Sequence, residues 1–215
     1  MNTFSNNDGA LIIDDLILAI QKNKQYLSDI DGLIGDGDHG INMNKGFTLC
    51  RSELDKNPGD LAHGLKILST ILIMKIGGSM GPLYGKFFKA LAFSLEGKEE
   101  IGIDDMGYAL NSAVEAISSI SQAKPGDKTL IDTLIPAVAA FENSRKEGKN
   151  FTDALEEMKI AAREGRDSTK DIIARLGRAS RLGERSRGVL DAGATSCCII
   201  LETIGNTSQE LLKSK

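Results

Sequence analysis

Three aspartates stand close together in one glycine-rich segment of the chain. Residues 31–40 read Asp-Gly-Leu-Ile-Gly-Asp-Gly-Asp-His-Gly, with carboxylates at Asp31, Asp36 and Asp38. Carboxylates held close together repel one another, and a cation among them favours their charged form. Mg²⁺ suits this position because it takes oxygen ligands, usually one or two carboxylates together with phosphates. The segment therefore predicts a magnesium–phosphate site.

The residues that follow the aspartates indicate where a phosphate would bind. Ile41, Met43 and Phe47 have helical spacing, so the acidic turn is expected to open a helix. A helix N-terminus offers backbone N–H groups and partial positive charge to a phosphate. His39 is a candidate hydrogen-bond donor to phosphate or general acid/base, or else a residue that only supports the aspartates. His63 lies within a helical pattern and is expected to have no chemical role.

Helix capping is the structural alternative for the same acidic residues. Asp and Gly are common in loops, and an Asp at a helix start is often an N-cap. Two aspartates two positions apart, flanked by glycines and a histidine and preceded by a third aspartate, favour metal binding. An EF-hand calcium loop is disfavoured, because no Glu stands at the position of its twelfth ligand.

Composition limits the class of protein to which the chain can belong. The 215 residues suit a single domain, and 41% hydrophobic and 26% charged residues are ordinary for a globular protein. A net charge of −4 argues against general nucleic-acid binding. No apolar run is long enough for a membrane span, and residues 1–9 lack the plan of a secretory signal. Three cysteines without disulfide or metal spacing favour a reducing compartment, so we expect a cytoplasmic protein.

Apolar positions recur at helical spacing along the chain, and alternating strand patterns are scarce. Pro136 is expected to kink the sixth predicted helix or break its hydrogen bonding. Short connections imply antiparallel neighbours, so the predicted fold is all-α, in a bundle-like or barrel-like array. Eight helices are predicted, over residues 11–27, 41–54, 61–76, 82–95, 103–120, 127–141, 151–174 and from about 189 onward.

Four connections are expected to gather at one end of the molecule, because each follows an odd-numbered helix. Glycines and unusual polar residues concentrate in them, which predicts one shared site. Gly77 to Gly81 would let a ligand approach the backbone closely, although a plain interhelix turn has the same composition. Asp127 likewise either contributes to the site or caps a helix. The four connections are residues 29–40, 77–82, 121–127 and 177–193.

The connection over residues 177–188 is long, basic and punctuated by glycines. Arginine side chains suit charge-assisted contacts to phosphate oxygens. A solvated loop with internal pairing to Glu184 is the alternative. The acidic segment needs balancing charge, which favours a functional role for Arg178 and Arg185. The four arginines of the connection are Arg178, Arg181, Arg185 and Arg187.

Together these segments resemble the ADP-binding L subunit of bacterial dihydroxyacetone kinase. That family forms a barrel of eight antiparallel, up-and-down helices with the nucleotide site at one end. The resemblance implies the same all-α barrel here, as a single nucleotide-binding domain over residues 1–215. It extends over nearly the whole chain and rests on residues 34–44, 77–85, 125–129, 177–186 and 191–196.

The resemblance also implies the site residues. The three aspartates would bind two Mg²⁺ ions that bridge the phosphates of ADP or ATP, as ligands rather than bases. Arg178 is the first choice for a phosphate or transition-state contact and completes the expected catalytic set. Some family members differ at Ser79, Met80 and Ser121, so backbone contacts are expected there. The implied nucleotide contacts are His39, Gly40, Ile41, Asn42, Ser79, Met80, Ser121, Leu130, Arg178, Asp191, Ala192 and Gly193.

The resemblance implies a phosphotransferase subunit that works with partners. A K subunit holds dihydroxyacetone covalently on its own histidine, and a phosphotransferase-system protein, the M subunit, recharges bound ADP to ATP. Two alternatives stay open: a subunit that uses exchangeable ATP to phosphorylate a keto sugar, and a nucleotide-loaded module that binds a transcription regulator. Neither nucleic acid nor a membrane is an expected partner.

Overall fold

The computed structural model describes residues 3–214, and helices dominate this range. It contains nine α-helices, one 3-10 helix and two short strands. The strands pair antiparallel, with Phe4 opposite Ile101, and so tie the N-terminal segment to the middle of the chain. In chain order the elements are β1 Phe4–Ser5, α1 Ala10–Lys22, α2 Lys24–Ile34, α3 His39–Leu54, α4 Leu61–Lys75, α5 Met80–Leu95, β2 Glu100–Ile101, α6 Ile103–Ser118, α7 Ile131–Lys146, α8 Phe151–Ser168, the 3-10 helix Arg178–Ser186 and α9 Ala192–Lys213.

The helices pack in chain order, and the last one returns to the first. Helix α1 contacts α3, each helix from α3 to α8 contacts the next one in the chain, and α9 contacts α1. Helix α2 packs against α3 and α9. The apolar stripes of these helices meet in one core, where Leu16, Phe47, Phe88, Phe141 and Leu201 are fully buried. Of the helices within residues 3–214, none has both the length and the apolar character that a membrane crossing requires.

The first predicted helix, over residues 11–27, is in fact two helices. The backbone leaves the helical conformation at Asn23, where φ is −94° and ψ is 6°. The Asn23 side chain donates a hydrogen bond of 2.9 Å to the Ala19 carbonyl, a contact through which asparagine competes with the helix ladder. Helix α2 then continues to Ile34, so Asp31 lies in a helix and not in a connection. The described range therefore holds nine α-helices rather than eight.

The sixth predicted helix begins four residues later than expected, at Ile131 rather than at residue 127. Its first turn is replaced by a loop that the Asp132 carboxylate holds together. This carboxylate accepts hydrogen bonds from the N–H groups of Gly126, at 2.5 Å, and Thr129, at 2.7 Å. Lys128 between them has a φ of 62°, in the left-handed region, and therefore cannot continue a helix.

The last two predicted helices are shorter than expected. The helix predicted over 151–174 ends at Ser168, where the buried ammonium of Lys128 lies 2.5 Å from the Thr169 carbonyl. A cation at this end of a helix satisfies a carbonyl that has no helical donor. The final helix begins at residue 192 rather than near 189, because Asp191 is its N-cap and accepts a 2.7 Å bond from the Ala194 N–H.

Pro136 lies inside α7, and the helix continues through it. Proline has no N–H, so the carbonyl four residues earlier, that of Asp132, loses its helical donor. Gly165 of α8 packs against this carbonyl: a Cβ at position 165 would lie 2.2 Å from the oxygen. A glycine at this position is what lets the backbones of α7 and α8 approach so closely.

Replacement of Gly165 by alanine should therefore destabilise the protein. We expect G165A to lower the free energy of unfolding by about 1–3 kcal/mol, the usual cost of overpacking a tight contact. Urea denaturation followed by circular dichroism measures this. The matched control is Gly32→Ala in α2, where a new Cβ meets nothing closer than 3.9 Å. The control should be neutral or slightly stabilising, and equal stability of the two variants would contradict the close approach.

Candidate functional site

The four predicted connections line one cavity of about 370 Å³. Its walls also include the C-terminal turn of α2, the N-terminal turns of α3, α5 and α9, and the end of α6. The lining residues fall within segments 31–42, 77–84, 117–131, 176–179 and 191–193.

The three aspartates of the acidic segment come together at this cavity. One carboxylate oxygen from each of Asp31, Asp36 and Asp38 lies within 4.8 Å of the others. Asp31 is half-buried, whereas Asp36 and Asp38 are exposed. An all-oxygen, negatively charged donor set of this kind fits a hard divalent cation such as Mg²⁺.

Local backbone geometry produces this cluster. Gly35, the first residue after α2, lies directly against the Asp31 side chain: a Cβ there would be 2.3 Å from Asp31 Oδ1. Gly37 has a φ of 76°, which turns the chain back toward α3. The Asp31 carboxylate also accepts a 3.2 Å hydrogen bond from the His39 N–H. The glycines between the aspartates therefore let the carboxylates converge.

The capping alternative is wrong for Asp38. This residue is at the N-cap position of α3, but its side chain makes no capping hydrogen bond. Among residues 3–214, no acceptor pairs with the N–H groups of Gly40 and Ile41 in the first turn of α3. Unpaired donors at a helix N-terminus favour an anion such as phosphate.

The Gly-rich connection before α5 is open on its cavity side. A Cβ at Gly77 or Gly78 would meet nothing within 4 Å. Ser79 is at the N-cap position of α5 and, like Asp38, makes no side-chain capping bond. Gly81 has a structural role instead, because a Cβ there would lie 2.2 Å from the Ile76 carbonyl. The first two glycines thus leave room for a ligand.

The arginines of the basic connection differ in their partners. The Arg178 guanidinium forms an ion pair with the Asp36 carboxylate, which brings positive charge to the aspartate cluster. Arg187 instead pairs with Glu184 at 3.1 Å, as the solvated-loop alternative predicts. Arg181 and Arg185 are exposed and line no part of the cavity.

The expected nucleotide contacts do not all line the cavity. Gly40 and Ile41 are absent from its lining. Gly40 packs against α2, since a Cβ there would lie 2.0 Å from the Lys24 carbonyl, and the Ile41 side chain is 52% exposed. Their backbone N–H groups have no acceptor within residues 3–214 and could still bind a ligand. The expected contacts that do line it are His39, Asn42, Ser79, Met80, Ser121, Leu130, Arg178, Asp191, Ala192 and Gly193.

Sequence reasoning missed Lys128, a cavity-lining residue whose side chain is buried. Its ammonium donates to the carbonyls of Thr169 and Val189, both at 2.5 Å, and to that of Ile172 at 3.3 Å. These bonds fix the segment between α8 and α9, and burial lowers the pKa of Lys128. No sequence pattern marks such a lysine, because its partners are backbone groups of a distant loop.

Asp127 closes a turn rather than capping a helix. Its carboxylate accepts a 2.8 Å bond from the Lys124 N–H, whereas α7 begins only at Ile131. The turn shapes the wall of the cavity that includes Ser121 and Leu130.

Sequence reasoning also missed Tyr84 and Ser196, which hold the side chain of His39. Ser196 Oγ lies 2.9 Å from His39 Nε2 and 2.6 Å from the Tyr84 hydroxyl. Burial lowers the pKa of His39 to about 4, so its imidazole is neutral at neutral pH. The pattern Asp191 to Ser196 pointed to this segment, but it gave no reason to select the serine. His63 lies outside this cavity, with its ring Nε2 3.1 Å from the Asn57 carbonyl.

The Asp191 carboxyl should make stability depend on pH. Burial raises the pKa of Asp191 from 3.8 to about 6. Between these pH values the folded protein therefore binds more protons than the unfolded chain. The protonated Asp191 carboxyl favours the folded state at low pH, and this stabilisation is lost as the pH rises from about 4 to about 6. Asp191→Asn keeps an N-cap acceptor but cannot ionise.

We accordingly expect D191N to gain stability relative to the unsubstituted chain between about pH 4 and about pH 6, with no further gain above. Urea denaturation across this range, with a metal chelator present and nucleotide removed, measures the difference. A difference that does not change with pH would contradict the buried position of this carboxyl.

Comparisons with known proteins assign the chain to one family. The family model described as the DAK2 domain matches residues 33–206. The chain is 37% identical, over 90% of both proteins, to the ADP-binding subunit DhaL of PEP-dependent dihydroxyacetone kinase 2 of Listeria innocua. It is 39% identical to the corresponding PTS-dependent subunit of Lactococcus lactis, over 86% of this chain and 88% of that protein.

A solved structure shares the fold. The dihydroxyacetone kinase of C. freundii superposes with a TM-score of 0.70 at 23% identity, over 92% of this chain and 34% of that longer chain. The likeness to the L subunit inferred from the motifs is thus confirmed by relatives of similar length. The chain belongs to the DAK2-domain family, together with the ADP-binding subunits of dihydroxyacetone kinases.

Proposed function

We propose that this chain is the nucleotide-carrying subunit of a phosphotransferase-system-dependent dihydroxyacetone kinase. One observation carries the proposal: three carboxylates converge within 4.8 Å beside the N-terminus of α3, where the N–H groups of Gly40 and Ile41 have no acceptor in residues 3–214. Candidate metal ligands and candidate phosphate donors thus lie next to one another. Relatives of similar length are named ADP-binding subunits, which supports Mg–ADP as the ligand.

Asp31, Asp36 and Asp38 would hold the magnesium, as two ions in the form that the family resemblance implies. Magnesium, when bound, neutralises charge on the nucleotide phosphates. The carboxylates act as ligands and not as bases. Arg178 would contact a phosphate oxygen, and its ion pair with the Asp36 carboxylate on the cavity wall supports this role.

Backbone groups would position the phosphates. The N–H groups of Gly40 and Ile41 in α3, and those at Ser79 and Met80 in α5, belong to helix N-termini at the cavity. Positioned donors and neutralised charge supply most of the catalysis of phosphoryl transfer, since little covalent chemistry falls to the protein.

The fold that supports this function is proposed to be a single domain over residues 1–215, an eight-helix barrel. The contacts of α1 with α3, of each later helix with the next, and of α9 with α1 support a closed ring of eight helices, with α2 outside it.

The phosphoryl acceptor would be dihydroxyacetone on a K subunit, and the M subunit would recharge the ADP. The predicted cytoplasmic location stays a prediction.

The nucleotide content of the purified protein tests the carrier function. Protein purified without added nucleotide, then denatured, should release an adenine nucleotide in roughly molar proportion, as a tightly held carrier requires. Native mass analysis of the same sample reports nucleotide and metal together. Absence of any adenine nucleotide after gentle purification would count against a carrier.

The source of the phosphoryl group is tested by reconstitution. Recombined with a K subunit, the chain should turn over dihydroxyacetone when phosphotransferase components are present and poorly with ATP alone. Full turnover on ATP alone would favour the ATP-dependent keto-sugar kinase. Recovery of a transcription regulator and no K subunit in a pull-down would favour the interaction module.

Asp36→Asn should weaken the metal and the nucleotide together. Loss of one carboxylate charge should weaken ADP binding in the presence of Mg²⁺ by about tenfold or more, and affect it little in the presence of a chelator. Isothermal titration calorimetry on nucleotide-stripped protein measures both. Asp29→Asn is the control, because Asp29 is on α2 but outside the cluster and bonds Gln25 at 2.7 Å. Unchanged Mg-dependent binding in D36N would exclude Asp36 as a ligand.

A further inference from the structure

Two buried hydroxyl groups hold the ring of His39 at the edge of the cavity. Ser196 Oγ lies 2.9 Å from His39 Nε2, and the Tyr84 hydroxyl lies 2.6 Å from Ser196 Oγ. Both hydroxyls also approach the Gly193 carbonyl, at 3.1 Å from Ser196 and 3.0 Å from Tyr84. Ser196 is 0% and Tyr84 is 2% exposed, so solvent does not compete for these bonds.

The number of available hydrogens indicates which atom of the ring donates. The two hydroxyls supply two hydrogens, and the Gly193 carbonyl only accepts. With a proton on Nε2, the ring donates to Ser196, Ser196 donates to Tyr84 and Tyr84 donates to Gly193. Without that proton the same group of contacts contains one hydrogen bond fewer. The buried cluster therefore favours a proton on Nε2, because that arrangement contains one more hydrogen bond out of reach of solvent.

This arrangement leaves Nδ1 as the free nitrogen of the ring. Within residues 3–214, Nδ1 has no hydrogen-bond partner, and His39 is part of the cavity wall next to the aspartates. The cluster also joins three helices at the cavity, because His39 begins α3, Tyr84 is in α5 and Ser196 is in α9. The orientation of the ring thus depends on Ser196, which lies behind the cavity wall, and on Tyr84, which is part of that wall.

We propose that Tyr84 and Ser196 are positioning residues that fix His39 through Nε2 and leave Nδ1 as a hydrogen-bond acceptor beside the metal–phosphate ligand. The inference rests on the proposed function for the ligand and for its activity readout, and the orientation of the ring is tested independently of it. Neither hydroxyl needs to touch the ligand. Their contribution is to limit the ring to one rotamer and one protonated nitrogen, as hydrogen bonds to the other ring nitrogen do for metal-binding histidines.

Two variants that each lack one of the hydroxyl groups test the positioning role by kinetics. Ser196→Ala and Tyr84→Phe should each lower kcat/KM of the reconstituted kinase by about tenfold. The control is Ser208→Ala, because Ser208 is also in α9, is also fully buried, and has no hydrogen-bond partner in the described chain. The control should stay within about twofold of the unsubstituted protein.

A double variant distinguishes positioning from general support of the fold. In a His39→Ala background, Ser196→Ala should cost less than about a further twofold in kcat/KM, because its effect passes through the missing ring. A merely structural serine would instead give the full loss in both backgrounds. Full additivity would overturn the proposal.

Nuclear magnetic resonance tests the same claim without turnover. The chain has two histidines, so a long-range ¹H–¹⁵N spectrum of the imidazoles is simple, and His63→Gln assigns them. His39 should carry its proton on Nε2, protected from exchange in the unsubstituted protein and in S208A but not in S196A. A proton on Nδ1, or equal protection in S196A, would overturn the proposal. A protein with the expected spectrum but no kinase activity would contradict the proposed function alone.

Discussion

Mutual repulsion among three carboxylates is the constraint on which the functional site depends. Oxygens of Asp31, Asp36 and Asp38 lie within 4.8 Å of one another, a separation at which each like-charged pair costs about 1 kcal/mol even in bulk water. The backbone imposes this cost, since Gly35 and Gly37 bend the chain so that the side chains converge. Positive charge offsets this repulsion, and Arg178 supplies part of it. In the proposed function a divalent cation supplies the rest.

The rest of the cavity offers partial positive charge to an anion through helix N-termini. Within residues 3–214 it does not use further lysine or arginine side chains for this purpose. Helices α3 and α5 both begin at the cavity without side-chain caps, so the N–H groups of Gly40 and Ile41 in α3, and those of the first turn of α5, are available to an anion. The single buried lysine of the wall, Lys128, uses its hydrogens on backbone carbonyls. Its charge holds the segment between α8 and α9 in place, and the aspartates and helix ends are left to the ligand.

The spacing of apolar residues and of aspartates is local information in the sequence. It was therefore sufficient to predict the helices and the acidic cluster. The errors occurred where a distant group determines the local structure. Asp132 replaces the predicted first turn of α7 by a loop, and Lys128 takes the carbonyl at the end of α8. Tyr84 and Ser196 were missed for the same reason, since they meet His39 only in the folded chain. The split at Asn23 was a local signal that apolar spacing alone overlooked.

The central claim is that a divalent metal lies between the carboxylates of residues 31–38 and binds the phosphates of the nucleotide. Crystals grown with ADP and Mn²⁺ in place of Mg²⁺ test it most directly, because manganese can be located by its anomalous scattering. The account predicts an anomalous peak within coordination distance of Asp31, Asp36 and Asp38 and of the ADP phosphates. A bound nucleotide with no metal at these carboxylates, or carboxylates turned toward solvent, would contradict it.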